Sequence, residues 1–110
     1  MADNRLIVAL DVRSLDEAKK LVETLGETVN FYKVGMELFY RMGSSVLRYL
    51  TAQGKEVFLD LKLHDIPNTV GNGLSSLLHL GPDILNVHTA GGLRMMREAR
   101  ESLQRAADKA

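Results

Sequence analysis

Apolar residues along this chain recur in blocks that switch repeatedly between short continuous runs and helical spacing. Residues 6–11, Leu-Ile-Val-Ala-Leu-Asp, are an apolar run ending in an acid, the pattern of a fully buried strand in a parallel sheet. Ser14 and Glu17 then fit an S-x-x-E capping box. The helix they open places Leu15, Ala18, Leu21, Val22 and Leu25 on one side, and Gly26 stops it. A second strand over 30–34 carries Lys33 near its end, and Gly35 releases the chain into a loop. Residues 36–42 read ambiguously. A helix from Ser44 or Ser45 to Gln53 turns Val46, Leu47 and Leu50 inward, with Gly54 as its stop. The third strand covers 56–62, and Pro67 suits the first turn of a helix over 67–80 closed by Gly81. A fourth strand over 83–88 leads through Thr89-Ala90-Gly91-Gly92 into a helix over 93–107.

The chain therefore reads as four βα units, with strands starting near positions 6, 30, 56 and 84 and no linker or low-complexity segment. Such alternation requires a parallel α/β sheet with helical crossovers. It does not choose between an open doubly wound sheet and part of a (β/α)8 barrel. Asp11, Lys33, Asp60, Lys62 and His88 fall at or just past the carboxyl ends of successive strands, where barrel enzymes keep their catalytic groups. Open α/β sheets bind ligands at the same edge.

Composition narrows the function. At 110 residues, 45% hydrophobic and 25% charged, 1–110 is ordinary for one globular domain. Fourteen basic and fourteen acidic side chains cancel, leaving no net field to draw in nucleic acid or an anionic membrane. There is no cysteine, hence no disulfide framework, thiol chemistry or cysteine metal cluster. The first residues lack a signal-peptide pattern, and no apolar run approaches a membrane span. A cytoplasmic protein is expected.

The chemistry concentrates in the stretch from Val57 to Val70. Side chains alternate along a strand, which puts Asp60 and Lys62 on one face and Leu59, Leu61 and Leu63 on the other. Opposite charges at the end of an apolar strand need compensation, and a third charge, Asp65, follows in the loop. An ordinary ion pair, with Asp65 or Asn68 helping to cap the helix, would satisfy the same spacing. Lys33, flanked by Phe31, Tyr32 and Val34, needs a carboxylate or a route to water. Asp11 could cap the turn before Ser14. His64 and His88 with Asp65 match no metal-ligand spacing, so no metal is expected. His79 reads as a surface or helix-packing residue. Arg94, Arg97, Arg100 and Arg105 interleave with Glu98, Glu101 and Asp108, the pattern of a solvated helix face. Thr89-Ala90-Gly91-Gly92 is too weak a signal for a phosphate cradle.

The whole stretch Val57-Phe-Leu-Asp60-Leu-Lys62-Leu-His64-Asp65-Ile66-Pro67-Asn68-Thr69-Val70 closely resembles the signature of the orotidine 5'-phosphate decarboxylase family, an Asp-x-Lys-x-x-Asp array followed by Ile-Pro-x-Thr. The resemblance continues through Leu10-Asp11, through 32–40 and through 86–92, and covers essentially the whole chain but only the first half of the family's barrel. It implies a TIM (β/α)8 barrel of which about four βα units, a half barrel, are present. It also implies a lyase of pyrimidine biosynthesis, a cofactor-independent carboxy-lyase converting orotidine 5'-phosphate to uridine 5'-phosphate. Lys62, Asp60, Asp65 and Lys33 would be its catalytic residues. Asp11, Lys33, Asp60, Leu61, Lys62, Leu63, His64, Asp65, Ile66, Pro67, Asn68 and Thr69 would bind substrate. In this family the active site spans a homodimer interface, so Asp65, Ile66 and Thr69 would come from the partner subunit.

A complete barrel needs roughly 200 residues or more, so the expectation is either a fragment of a longer enzyme or a half barrel that assembles, with activity not guaranteed for this chain alone. Two alternatives accompany it. Related metal-dependent enzymes acting on phosphorylated keto-sugars share the Asp-x-Lys-x-x-Asp array but place an acid near the end of the second strand, where this chain has Lys33. The other alternative is an inactive structural fragment.

Overall fold

Four strands, β1 (Val8–Ala9), β2 (Phe31–Gly35), β3 (Glu56–Leu63) and β4 (Ile84–Val87), form one parallel sheet in the order β1-β2-β3-β4. The structure is a computed structural model and describes residues 2–109. Every crossover steps to the next strand in the same direction. With right-handed connections, that order lays all the helices against one face, whereas a doubly wound sheet reverses direction and covers both. Strand order thus decides what βα alternation left open: the chain is an α/β half barrel.

The helices are α1 (Leu15–Leu25), α2 (Met36–Met42), α3 (Ser45–Ala52), α4 (Pro67–Leu77) and α5 (Leu93–Asp108). Tyr32, Val34, Val57, Leu59 and Leu61 pack with Ala18, Val22, Leu38, Val46, Leu47 and Leu50 in one core. Val70, Leu74, Met95 and Ala99 form a second beneath β4. On the opposite face the register aligns Ala9, Lys33, Phe58 and Ile84 in one row, with Gly35 opposite Asp60 in the row above. In a closed barrel such rows are the interior layers. Here they face outward. The chain exposes 6867 Å², against about 6,100 Å² for a closed monomer of its mass.

Local structure departs from the sequence reading in informative places. The run over 6–11 pairs for only two residues, and Leu6 and Ile7 are 53% and 37% exposed rather than fully buried. An edge strand has one neighbour and, on the open face, nothing packed over it. The ambiguous residues 36–42 form α2, separated from α3 by Gly43 at φ 60°. Ser14 caps α1 by accepting from the Glu17 N–H at 3.1 Å, but Glu17 returns its bond to the Arg13 N–H, one residue before the cap. After Leu77 the chain tightens into a 3-10 turn over Leu78–Leu80 that ends at left-handed Gly81.

α4 and α5 approach closely because Gly71 has no side chain. A Cβ there would overlap the Ser102 hydroxyl and lie 3.1 Å from Ser102 Cβ and 3.2 Å from Glu98 Cγ. Gly73, two positions along the same helix, has open space around it. Gly71→Ala should therefore destabilise the fold by about 1–3 kcal/mol through overpacking. Gly73→Ala should stabilise it by roughly 0.5 kcal/mol through helix propensity. Thermal unfolding of the two variants checks this, and the opposite order of Tm would refute the close approach.

Candidate active site

Lys33 reaches the rim of the sheet because the residue above it has no side chain. A Cβ at Gly35 would sit 3.3 Å from Lys33 Nζ, so the ammonium occupies that space and lies 3.3 Å from Asp60 Oδ2. Lys62 approaches the same carboxylate from the other side, its Nζ 2.8 Å from Asp60 Oδ1. The need for a carboxylate beside Lys33 is met by Asp60. Leu10, Asp11, Lys33, Gly35, Met36, Glu37, Leu38, Asp60 and Lys62 line a depression of about 330 Å³, at the small end of the range for ligand sites.

Asp60 and Lys62 meet, but not through regular strand alternation. Leu59 pairs with Leu85 and Leu63 with Val87, so the ladder is irregular in between. Lys62 has φ 52°, the one positive φ among the described non-glycine residues. That conformation costs about 1–2 kcal/mol and turns the lysine back over Asp60. Asn86 of β4 bridges the irregularity: its Nδ2 donates to Asp60 Oδ1 at 2.7 Å, and its Oδ1 accepts from the Lys62 N–H at 2.9 Å. Asn86 was not singled out by the sequence. The available signal was a carboxamide inside the apolar run Ile84-Leu85-Asn86-Val87.

Asp60 has only 8% of its side chain exposed. Burial pushes its carboxyl pKa up, but donation from Lys62, Asn86 and Lys33, together with the Lys33 charge, outweighs this and holds it below the ordinary value. A carboxyl held low contributes stability above the ordinary carboxylate range, and that contribution is lost as pH falls through its lowered value. Two ammonium groups on one carboxylate leave the trio with one net positive charge. The Lys62 side chain is half exposed, so its remaining donors are open to an anionic ligand.

Of the other expected site residues only Asp11 joins this group. Asp11 lines the Lys62 depression. Leu61 and Leu63 turn into the helix-side core and do not line it. His64, Asp65, Ile66 and Pro67 line a second depression with Ala90 and Gly91. Asn68 and Thr69 are exposed on the first turn of α4. Asp65 accepts from the Ile66 N–H at 2.7 Å. A single chain thus brings Asp11, Lys33, Asp60 and Lys62 together without Asp65, Ile66 or Thr69. The His64 and His88 rings stack with centroids 5.2 Å apart, and His88 Nδ1 accepts from the Ala90 N–H. Among the described residues no group of three or more His, Cys, Asp or Glu side chains is placed to hold a metal, and no helix is long and apolar enough to cross a membrane. His79 is exposed, and Arg105 of α5 pairs with Glu98 at 3.1 Å.

Known proteins are similar to this chain in sequence and fold. Orotidine 5'-phosphate decarboxylase of Halalkalibacterium halodurans is 54% identical over 99 residues, which are 90% of this chain and 42% of that protein. The enzyme of the same name from Carboxydothermus hydrogenoformans is 54% identical over 95 residues, 86% of this chain and 40% of that protein. The crystal structure of orotidine 5'-phosphate decarboxylase from Lactobacillus acidophilus superposes with a TM-score of 0.83 at 47% identity, covering 92% of this chain and 46% of that one. The enzyme from Pyrococcus horikoshii superposes with a TM-score of 0.79 at 30% identity, covering 92% and 47%. The chain spans less than half the length of these relatives and corresponds to their N-terminal half. Residues 4–109 match the family described as Orotidine 5'-phosphate decarboxylase / HUMPS family, and the chain belongs to that family.

Proposed function

We propose that this chain is the N-terminal half of a cytoplasmic orotidine 5'-phosphate decarboxylase. The observation that supports this most directly is the Lys33–Asp60–Lys62 array, two ammonium groups fixed on one nearly buried carboxylate. Loss of CO2 from orotidine 5'-phosphate breaks the bond to C6 of the pyrimidine and leaves its electron pair there, where the ring delocalises it poorly. A preorganised cation beside C6 stabilises that charge without a cofactor. Lys62 supplies the cation and then donates a proton to C6, completing uridine 5'-phosphate. Asp60 orients Lys62 and sits beside the departing carboxylate. Lys33 holds Asp60, and Asp11 binds a ribose hydroxyl.

Asp65, Ile66 and Thr69 act in this reading from a second subunit. The exposed loop that carries Asp65 fits such a role, because it lies outside its own chain's Lys62 depression. Closing the barrel would bring the loops after strands 7 and 8, where barrels commonly hold phosphate. Binding energy from that remote group then lowers the barrier at C6.

Three outcomes are expected. In the chain assembled with a complementary C-terminal half and assayed for uridine 5'-phosphate, Lys62→Ala should lower turnover by roughly 10³-fold or more; a loss of less than about tenfold sinks its role. Exhaustive chelation should leave that activity unchanged, whereas strict dependence on magnesium or zinc would move the assignment to metal-dependent chemistry. Sedimentation at low micromolar concentration should find the chain as a dimer or larger, and a stable monomer would count against the shared site.

A further inference from the structure

The β3–β4 ladder presents a counting problem that one side chain solves. Between the pairs Leu59–Leu85 and Leu63–Val87, three residues of β3 face the single residue Asn86. One backbone cannot pair with three, and a polar group left without a partner is unfavourable wherever water is excluded. The Asn86 carboxamide takes up the surplus by accepting the Lys62 N–H at 2.9 Å. Its other end donates to Asp60 Oδ1 at 2.7 Å, the oxygen that also receives Lys62 Nζ at 2.8 Å. A carboxylate only accepts and an amide N–H only donates, so one orientation of the carboxamide alone satisfies both contacts. Asn86 therefore grips Lys62 by its backbone and, through Asp60, by its ammonium.

We propose that Asn86 is a positioning residue: it locks the left-handed backbone at Lys62 and fixes Asp60, so that the ammonium is held at one point over the depression. The geometry stands on its own, while the effect on turnover rests on the decarboxylase reading. Lys62 is the one described non-glycine residue at positive φ, and backbone in that region persists only where its surroundings over-determine it. Among the described side chains, Asn86 alone bonds the Lys62 main chain. Leucine or valine at position 86 would fill a strand equally well and do neither job.

The test separates the two contacts. Asn86→Ala removes both. Asn86→Asp keeps the acceptor for the Lys62 N–H but replaces the donor to Asp60 with a like charge. In the 110-residue chain, the Lys62 amide should exchange with solvent at least about tenfold faster in Asn86→Ala than in wild type, with the Val57 and Leu59 amides unchanged. In Asn86→Asp the Lys62 amide should keep its protection, while the Asp60 carboxyl, followed by carbon NMR, should titrate at higher pH. Should Asn86→Ala fail to fold, the Asp variant decides the matter. Wild-type exchange at Lys62 in Asn86→Ala, or wild-type titration of Asp60 in Asn86→Asp, overturns the proposal. In the assembly with a complementary half, Asn86→Ala should lower kcat by about 100-fold with KM little changed. A change confined to KM also overturns it. A wild-type assembly without turnover would instead refute the decarboxylase reading, and the amide and carboxyl readouts would still judge Asn86.

Discussion

Asp60 is a nearly buried carboxylate shared by donors from three strands: Lys33 of β2, Lys62 of its own strand and Asn86 of β4. A charge in that position without partners would be several kcal/mol unfavourable, so the carboxylate stays ionised only while the three strands hold their spacing. The dependence runs both ways. Lys33 projects from the same open face as Phe58 and Ile84 and has Asp60 as its carboxylate partner. Removing one member would leave the others mismatched in charge, and truncating a buried pair is more damaging than never having built it. The rim of this sheet therefore behaves as a unit whose parts cannot be assessed singly.

The same strand order that builds the rim leaves the floor below it uncovered. All the helices lie on one side, and the row of Ala9, Lys33, Phe58 and Ile84 on the other has no layer packed over it. Polar groups cluster at the carboxyl ends of the strands, and the apolar residues lie below them. That division suits a surface that something else covers: a covering layer would exclude water from the floor and leave the charged trio at the mouth.

Much of this was readable in advance because the signals were local. Ser14 caps α1, Gly26 ends it and Pro67 opens α4, as the sequence reading expects. Lys33 announced its need for a partner simply by standing between apolar neighbours. What escaped was non-local. Whether 36–42 would be helical depended on Leu38 reaching the core under β2. The exposure of Leu6 and Ile7 depended on β1 lying at the edge of the sheet. Strict alternation put Asp60 and Lys62 on one face, and they do meet, but through an irregular ladder that no period-two pattern contains. Asn86 lies 24 and 26 residues from the groups it binds, a distance at which spacing carries no information.

The positive φ at Lys62 sets backbone strain against charge pairing at a single position. Glycine enters the left-handed region without the steric penalty that lysine pays there. Lys62→Gly would relieve that backbone and at the same time strip the nearly buried Asp60 carboxylate of one of its two ammonium partners. A backbone gain is thus set against a charge loss at one residue, and position 62 should resist the glycine-replacement logic that stabilises other left-handed positions.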